Sequence, residues 1–402
     1  MESKIRQYLC SLELNPKIRF YEYEVFEQLD LYKTINNVFL TSEQASAVHF
    51  AINNNVSCLV GGVGTGTTEV INAINWVYQS LTGASTIVAA LNNETIECVK
   101  GAIGNLAKCT IAMLQSEIAS EKIKLRTVTM LIIQESSMLG VQDLYLLSKM
   151  NLNDLKVLFV GDKNKLAGTG YGNFFKQAIS YFPTSKLTKV YVDEFKGIAQ
   201  AANFVLNGNR PKPSNTIKFI KADLDAIAEY AHEKNAMVIC SLNETVDKLN
   251  AQIQKRKVRA DLTLVTFFGK PIYSNDLFVF TKNNYQLKIF DGQFGTFTTK
   301  DSQGIHMKLD SGANAILSYE EFVSVAPKLR YAVNDLKYLS KGFDKIVVVN
   351  EDSPACNANW LYTAITLARK RVALAEFVSI EATLSKAEMP RVTQRLVPEL
   401  SN

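Results

Sequence analysis

No two of the six cysteines (Cys10, Cys58, Cys98, Cys109, Cys240, Cys356) form a C-x-x-C pair, and the three histidines, His49, His232 and His306, are scattered. That excludes the usual ligand spacings of a structural metal site, and no metal ligands are expected. Several of the cysteines sit in apolar runs, so they read as reduced core thiols. No apolar run approaches the length of a membrane span, and the start Met1-Glu2-Ser3-Lys4 has no apolar signal core. The chain is therefore expected in the cell interior, without a membrane partner. Repeats of solenoid period and low-complexity tracts are also missing. Neither sign of charge dominates: the net is +5 over 402 residues, which permits nucleic-acid contact without demanding it. What is present is apolar material, 47% of residues against 21% charged, enough for two cores and a small third piece.

The most informative stretch also lacks something. Residues 58–68 read Cys-Leu-Val-Gly-Gly-Val-Gly-Thr-Gly-Thr-Thr, behind the apolar run Val56 to Val60 and ahead of the helix-compatible stretch Glu69 to Tyr78. The spacing from Gly61 to Gly66 fits G-x-x-x-x-G-K-[ST]. In such a loop the glycines turn backbone N–H groups toward phosphates, the lysine neutralises charge and the next hydroxyl holds Mg²⁺. Gly61, Gly62, Gly64, Gly66 and the hydroxyl of Thr68 are in place, but the lysine position is Thr67. The same glycines also suit a bare strand-to-helix turn.

Short apolar strands alternate with amphipathic helices from Leu40 onward, with strands expected at Ser57–Gly61, Thr86–Ala90, Met130–Gln134 and Lys156–Gly161. That alternation is the mark of a parallel sheet covered by helices. A second α/β section opens near Pro183, with strands expected at Met237–Ser241, Lys345–Val349 and Val372–Phe377. The domain reading is a short helical segment over 1–39, a first α/β domain over 40–182, and a second over 183–261 and 328–380. A β-rich insertion occupies 262–327, where β-branched and aromatic residues are punctuated by Gly and Asp-Gly, and a tail covers 381–402.

Two further strand ends bear polar groups. Leu131-Ile132-Ile133 leads into Gln134-Glu135, where a phosphate-loop protein places one acid for Mg²⁺ and one to position water. Glu135 is present, while Gln134 is an amide without the charge Mg²⁺ seeks. Val157-Leu158-Phe159-Val160 leads into Gly161-Asp162-Lys163-Asn164-Lys165. With Leu187-Thr188-Lys189-Val190-Tyr191, Asp291-Gly292-Gln293-Phe294-Gly295, Gly342-Phe343-Asp344-Lys345 and Tyr362-Thr363-Ala364-Ile365-Thr366, these segments resemble the superfamily 1 helicases of the RecD/Dda type. Leu40-Thr41-Ser42-Glu43-Gln44 looks like that family's adenine-reading segment, which marks Gln44. The resemblance runs from about residue 40 to 376. It implies two RecA-like, P-loop NTPase-fold α/β domains with parallel sheets, the second carrying an SH3- or barrel-like insertion.

The family's catalytic positions depart almost throughout. Besides Thr67 and Gln134, the phosphate-sensing glutamine is Lys165, the arginine after the Leu187–Tyr191 segment is Val192, and the arginine finger is Leu367. Only Glu135 remains of the set. The resemblance thus implies a helicase-fold pseudoenzyme, a binding or scaffold subunit with a protein partner and, in one version, single-stranded DNA. In that reading ATP and Mg²⁺ enter only if residual binding survives, at Gln44, Gly61, Gly62, Gly64, Gly66 and Thr68. The alternative is an ATP-dependent 5′-to-3′ DNA helicase using substitute residues, with Lys165 or Lys163 for the missing charge, or a partner's arginine. Candidate nucleic-acid contacts are Asn92, Lys255, Arg256, Lys257 and Lys337. The run Lys255-Arg256-Lys257 equally suits a solvated helix end, and Trp360 and Tyr362 suit packing.

Overall fold

The structure, a computed structural model, describes residues 2–14, 19–91, 107–111, 113–114, 128–145, 155–168, 174–257, 264–267, 269–284, 286–310, 312–336 and 342–386. The chain divides into two compact units, the first running to Ala199 and the second from Gln200.

In the first unit, β1 (Val56–Gly61), β2 (Ser85–Ala90), β3 (Ala107–Thr110), β4 (Val128–Ile133), β5 (Lys156–Gly161) and β6 (Thr184–Leu187) form one sheet. Its order is β3-β2-β4-β5-β1-β6 and every pair is parallel. Parallel neighbours require crossovers that cover both faces, so the central strands are continuously apolar. Accordingly β1 and β5 are buried at every position.

Two helical layers do the covering. Ile5, Leu9 and Leu12 of α1 (Glu2–Leu14) pack with Val56, Cys58, Phe159 and Phe174 on one face. Their spacing puts them on one side of a helix. On the other face, Val25, Leu29 and Tyr32 of α2 (Glu22–Asn36) meet Val48 and Ile52 of α3 (Ser42–Asn53) and Val70, Ile74 and Val77 of α4 (Thr67–Thr82). The Cys58 thiol lies in the core on the α1 face, and burial pushes its pKa up to about 12, so it stays protonated. Of the described cysteines only Cys10 is exposed.

One boundary differs from the sequence reading. Thr184–Leu187, assigned there to the second domain, pairs with β1 in the first sheet, Cys58 opposite Thr184 and Gly61 opposite Leu187. As an edge strand it has one buried position, Leu187, so it offers no apolar run to recognise.

The second unit holds β7 (Ile217–Ile220), β8 (Met237–Ile239), β16 (Ala332–Val333), β17 (Phe343–Asn350) and β18 (Ala368–Glu376) in the order β16-β8-β17-β18-β7, again all parallel. Between β8 and β16 lie the hairpin β9 (Leu264–Phe267) and β10 (Lys270–Tyr273), then an antiparallel sheet of β11 (Leu277–Phe280), β12 (Phe294–Lys300), β13 (Ile305–Leu309), β14 (Asn314–Leu317) and β15 (Pro327–Leu329). The β-rich insertion is thus a five-stranded sheet in the order β14-β13-β12-β11-β15. Phe280, Phe297, Met307 and Phe322 fill its core.

Two buried carboxylates tie the second unit together. Asp276 accepts from the Tyr331 hydroxyl at 2.7 Å, Tyr273 N at 2.8 Å and Gln254 Nε2 at 2.5 Å. Glu351, just after β17, accepts from Ser241 N, Leu242 N, Ser241 Oγ and Thr245 Oγ1 at 2.6–3.2 Å. Ser241 and Leu242 lead into the helix Asn243–Lys257 and Thr245 lies in its first turn, so the carboxylate sits at the positive end of the helix dipole. No described helix is long and apolar enough to cross a membrane.

Candidate nucleotide site

The loop after β1 is built as a phosphate cradle needs. β1 ends at Gly61, Gly64 lies at φ 74° and Gly66 caps α4 at φ 81°, ψ 29°. Gly66 has no room for a side chain: a Cβ there would collide with Gln44 Nε2. Both the left-handed backbone and this collision demand glycine. Gly66→Ala should therefore cost the first unit about 1–3 kcal/mol, read as a lowered denaturant midpoint with unchanged slope. An unchanged midpoint would show that the loop is not held as described.

Gln44 is the loop's brace. Its Nε2 donates to Thr65 O at 3.0 Å and its Oε1 accepts from Thr41 N at 2.9 Å, while Thr41 Oγ1 accepts from Gln44 N at 3.2 Å. The side chain is buried, and both ends of its amide are used inside the protein. Over the loop runs the segment after β6: Tyr191 N donates to Gly64 O at 2.8 Å, and Val190 and Phe195 lie against Gly64. Thr188 N and Lys189 N donate to Glu43, at 3.0 and 3.3 Å, and Thr188 Oγ1 does so at 2.5 Å. The hydrogen bonds from Thr188 hold the Glu43 carboxyl below its ordinary pKa. Val192 is 36% exposed beside the loop. Glu69, in the first turn of α4, is hydrogen-bonded by the Tyr32 hydroxyl.

Sequence reasoning missed an aromatic pair at this site. Phe39 and Tyr191 stack with ring centroids 6.0 Å apart and planes 17° from parallel, and both are exposed. They are 152 positions apart (191 − 39), so only the fold brings them together.

At the ends of β4 and β5 stands the charged group of the site. Glu135 sits at φ 53°, ψ 36°, a left-handed conformation that costs a non-glycine residue roughly 1–3 kcal/mol and gathers at functional sites. Lys165 Nζ lies 2.9 and 2.8 Å from its two carboxylate oxygens. Lys165 N also donates to Asp162 O at 3.1 Å, and Asn164 N to Asp162 Oδ1 at 3.0 Å, which folds 162–165 into a turn. Burial alone would lower the Lys165 pKa. The charge and hydrogen bonds of Glu135, with the charge of Asp162, outweigh it and hold the ammonium above its ordinary 10.5. Gln134 is buried, its N–H donates to Ala89 O at 2.8 Å, and its Oε1 has no hydrogen-bond partner among the described residues. Lys163 is exposed.

The donor set does not fit the magnesium that the resemblance implies. Mg²⁺ asks for carboxylate or phosphate oxygens in strict octahedral geometry. The Thr68 hydroxyl is in place in the first turn of α4, but it is neutral, Gln134 adds a second neutral oxygen, and both oxygens of Glu135 are held by an ammonium. Among the described residues no group of three or more His, Cys, Asp or Glu side chains is placed to hold an ion.

The remaining candidates fall elsewhere. Leu367, in the second unit, is 3% exposed and follows the helix Ala358–Thr366, with its carbonyl accepting from Phe343 N at 2.8 Å. Trp360 and Tyr362 are buried on that helix. Of the basic run, only Lys255 is exposed. Arg256 pairs with Asp225, and Lys257 lies over the Tyr331 ring at 4.5 Å, its pKa lowered by burial. Two of these three charges therefore serve the fold. Asn92 and Lys337 lie outside the described residues.

The model of the AAA domain family matches residues 39–239, half of the chain. The chain belongs to that family, as a superfamily 1 helicase of the RecD/Pif1 type. It is similar to the ATP-dependent RecD2 DNA helicase of Deinococcus radiodurans, 25% identical over 355 residues that cover 83% of this chain and 48% of the relative. It thus spans about half the length of that relative. The fold is that of Bacteroides Pif1 bound to ssDNA (TM-score 0.57, 17% identity, 86% of this chain and 94% of that one). It is also that of Pif1 helicase from Candida albicans (TM-score 0.55, 13% identity, 87% and 97%). The loop after β1 and the ends of β4 and β5 leave one parallel sheet on adjacent strands. Ligands of open α/β sheets sit at the carboxyl ends of the strands, and here those ends carry Gly61–Gly66, Glu135, Asp162 and Lys165.

Proposed function

We propose that this chain acts on DNA as a slow ATP-dependent helicase or ATPase of 5′-to-3′ type, with Lys165 standing in for charge lost at Thr67. The observation that carries this reading is the Lys165 ammonium, held at 2.8 Å on Glu135 where β4 and β5 leave the sheet, with β5 next to the strand that leads into the glycine loop. A largely shielded, oriented cation at the strand ends is what a developing phosphate charge needs. The relatives support it as well: one is an ATP-dependent DNA helicase, and a Pif1 structure holds ssDNA. The missing finger at Leu367 accounts for the slowness, since an arginine finger is worth about 10³–10⁵ in rate; a partner's arginine would supply it. The cell interior is the setting this activity requires.

The test is ATP turnover by the purified chain with and without single-stranded DNA. Slow turnover that DNA raises is expected. A second reading, the helicase-fold pseudoenzyme acting as a binding or scaffold subunit, is favoured by one feature: Lys165 occupies both oxygens of the carboxylate that would position water. Turnover equal to the no-enzyme background, with DNA binding intact, would select that reading.

Single-stranded DNA binding should be insensitive to sequence and fall steeply with salt. Within the basic run, Lys255→Ala should weaken it modestly at constant stability. Arg256→Ala should instead lower stability through the lost Asp225 pair. Equal binding losses from both, with stability unchanged, would contradict this assignment.

A further inference from the structure

We propose that the nucleotide site takes its nucleotide without magnesium, the Lys165 ammonium occupying the place of the divalent cation. This rests on the reading of the loop as a nucleotide site. Three observations carry it.

The first is the state of the acids. Glu135 is the only carboxylate at the end of β4, and Lys165 Nζ holds both of its oxygens, at 2.9 and 2.8 Å. Its neighbour Gln134 presents a neutral Oε1 in a buried position. Magnesium sheds its water reluctantly, and charged oxygen donors are what persuade it; a fixed ammonium in their midst repels it.

The second is that Lys165 is held in this place. The 162–165 turn is closed by Lys165 N to Asp162 O and by Asn164 N to Asp162 Oδ1, and Asp162 N donates to Ser137 Oγ at 3.4 Å. Asp162 is itself buried and adds attraction to the ammonium. A lysine whose backbone closes a turn and whose ammonium is held on both oxygens of Glu135, with the charge of Asp162 nearby, is a structural cation, not a mobile surface charge.

The third is register. β5 lies between β4 and β1, with Ile133 opposite Phe159 and Val60 opposite Gly161. The Glu135–Lys165 pair therefore leaves the sheet on the strands next to the phosphate loop, each strand spacing being about 4.8 Å. Because the Lys165 pKa is raised, its charge persists wherever binding is measured between about pH 6 and 9.

The test is calorimetric binding of ADP and ATP to the full chain, in excess Mg²⁺ and in excess EDTA. Dissociation constants within about threefold of each other are expected under the two conditions, and adding the protein to Mn²⁺ and nucleotide should give no spin-resonance change beyond that of Mn²⁺ with nucleotide alone. Lys165→Gln, which frees Glu135, should make binding at least about tenfold weaker in EDTA than in Mg²⁺. Parent binding that is lost in EDTA and returns with Mg²⁺ would overturn the inference and leave the nucleotide-site reading standing. No binding under either condition would overturn both. Metal-independent binding by Lys165→Gln would also overturn the role given to Lys165. The parent comparison decides by itself if that variant fails to fold.

Discussion

Restoring Thr67→Lys, Gln134→Asp and Lys165→Gln together should raise DNA-stimulated ATP turnover at least about 10²-fold, the scale of one well-placed charge stabiliser. Thr67→Lys alone should change it only a few-fold. The physical reason is that these groups act as a unit. With Lys165 still on Glu135, an added lysine in the loop joins a site that already carries a fixed cation and still lacks a charged anchor for magnesium. Releasing Glu135 and supplying an acid at position 134 changes the site from ammonium-centred to metal-centred. The measurement is kcat on single-stranded DNA at saturating ATP. A large gain from Thr67→Lys by itself would sink the assignment of Lys165 as the dominant charge. The triple variant should remain well below a complete motor because Leu367 is untouched. Leu367→Arg is a poor remedy, since that position is 3% exposed and a guanidinium there would lose its water without a described partner.

Glu351→Ala should destabilise the second unit by about 1–3 kcal/mol, the usual cost of leaving hydrogen-bond donors without their acceptor. The carboxylate serves Ser241 N, Leu242 N, Ser241 Oγ and Thr245 Oγ1. Removing it leaves the half-buried donors of Ser241, Leu242 and Thr245, at the entry to the helix Asn243–Lys257, without their shared acceptor. Glu351→Gln keeps one acceptor oxygen and should cost less than half as much. Denaturant unfolding followed by a probe in the second unit measures both. Equal, small losses for the two variants would show that water replaces the carboxylate readily and that the cap is not structural.

The strands were legible for a simple reason. β1, β5, Met130–Ile133 of β4, Ile346–Asn350 of β17 and Val372–Ala375 of β18 are buried at every position, and such stretches appear as unbroken apolar runs. The glycine loop was legible because Gly64 and Gly66 need backbone angles that other residues resist. Edge strand β6 was not, having a single buried residue. Nor could the basic run Lys255-Arg256-Lys257 be sorted in advance. Whether a lysine is a phosphate contact or a tether depends on Asp225 and Tyr331, which are distant in sequence.

By itself the sequence determined the two parallel α/β layers, the β-rich insertion, the helicase resemblance and the uncharged side chains of Thr67, Gln134, Val192 and Leu367 at positions that the resemblance marks. These are properties of residue type and local spacing. Only the tertiary structure decided what the site's side chains do. It set Lys165 against Glu135, 30 positions away, used up Gln44 as a brace for Thr65, and placed the Phe39–Tyr191 pair beside Gly64. Each of those outcomes depends on the lateral order of strands in a sheet. In parallel sheets that order is fixed by crossover packing between elements far apart in the chain, which no local pattern records.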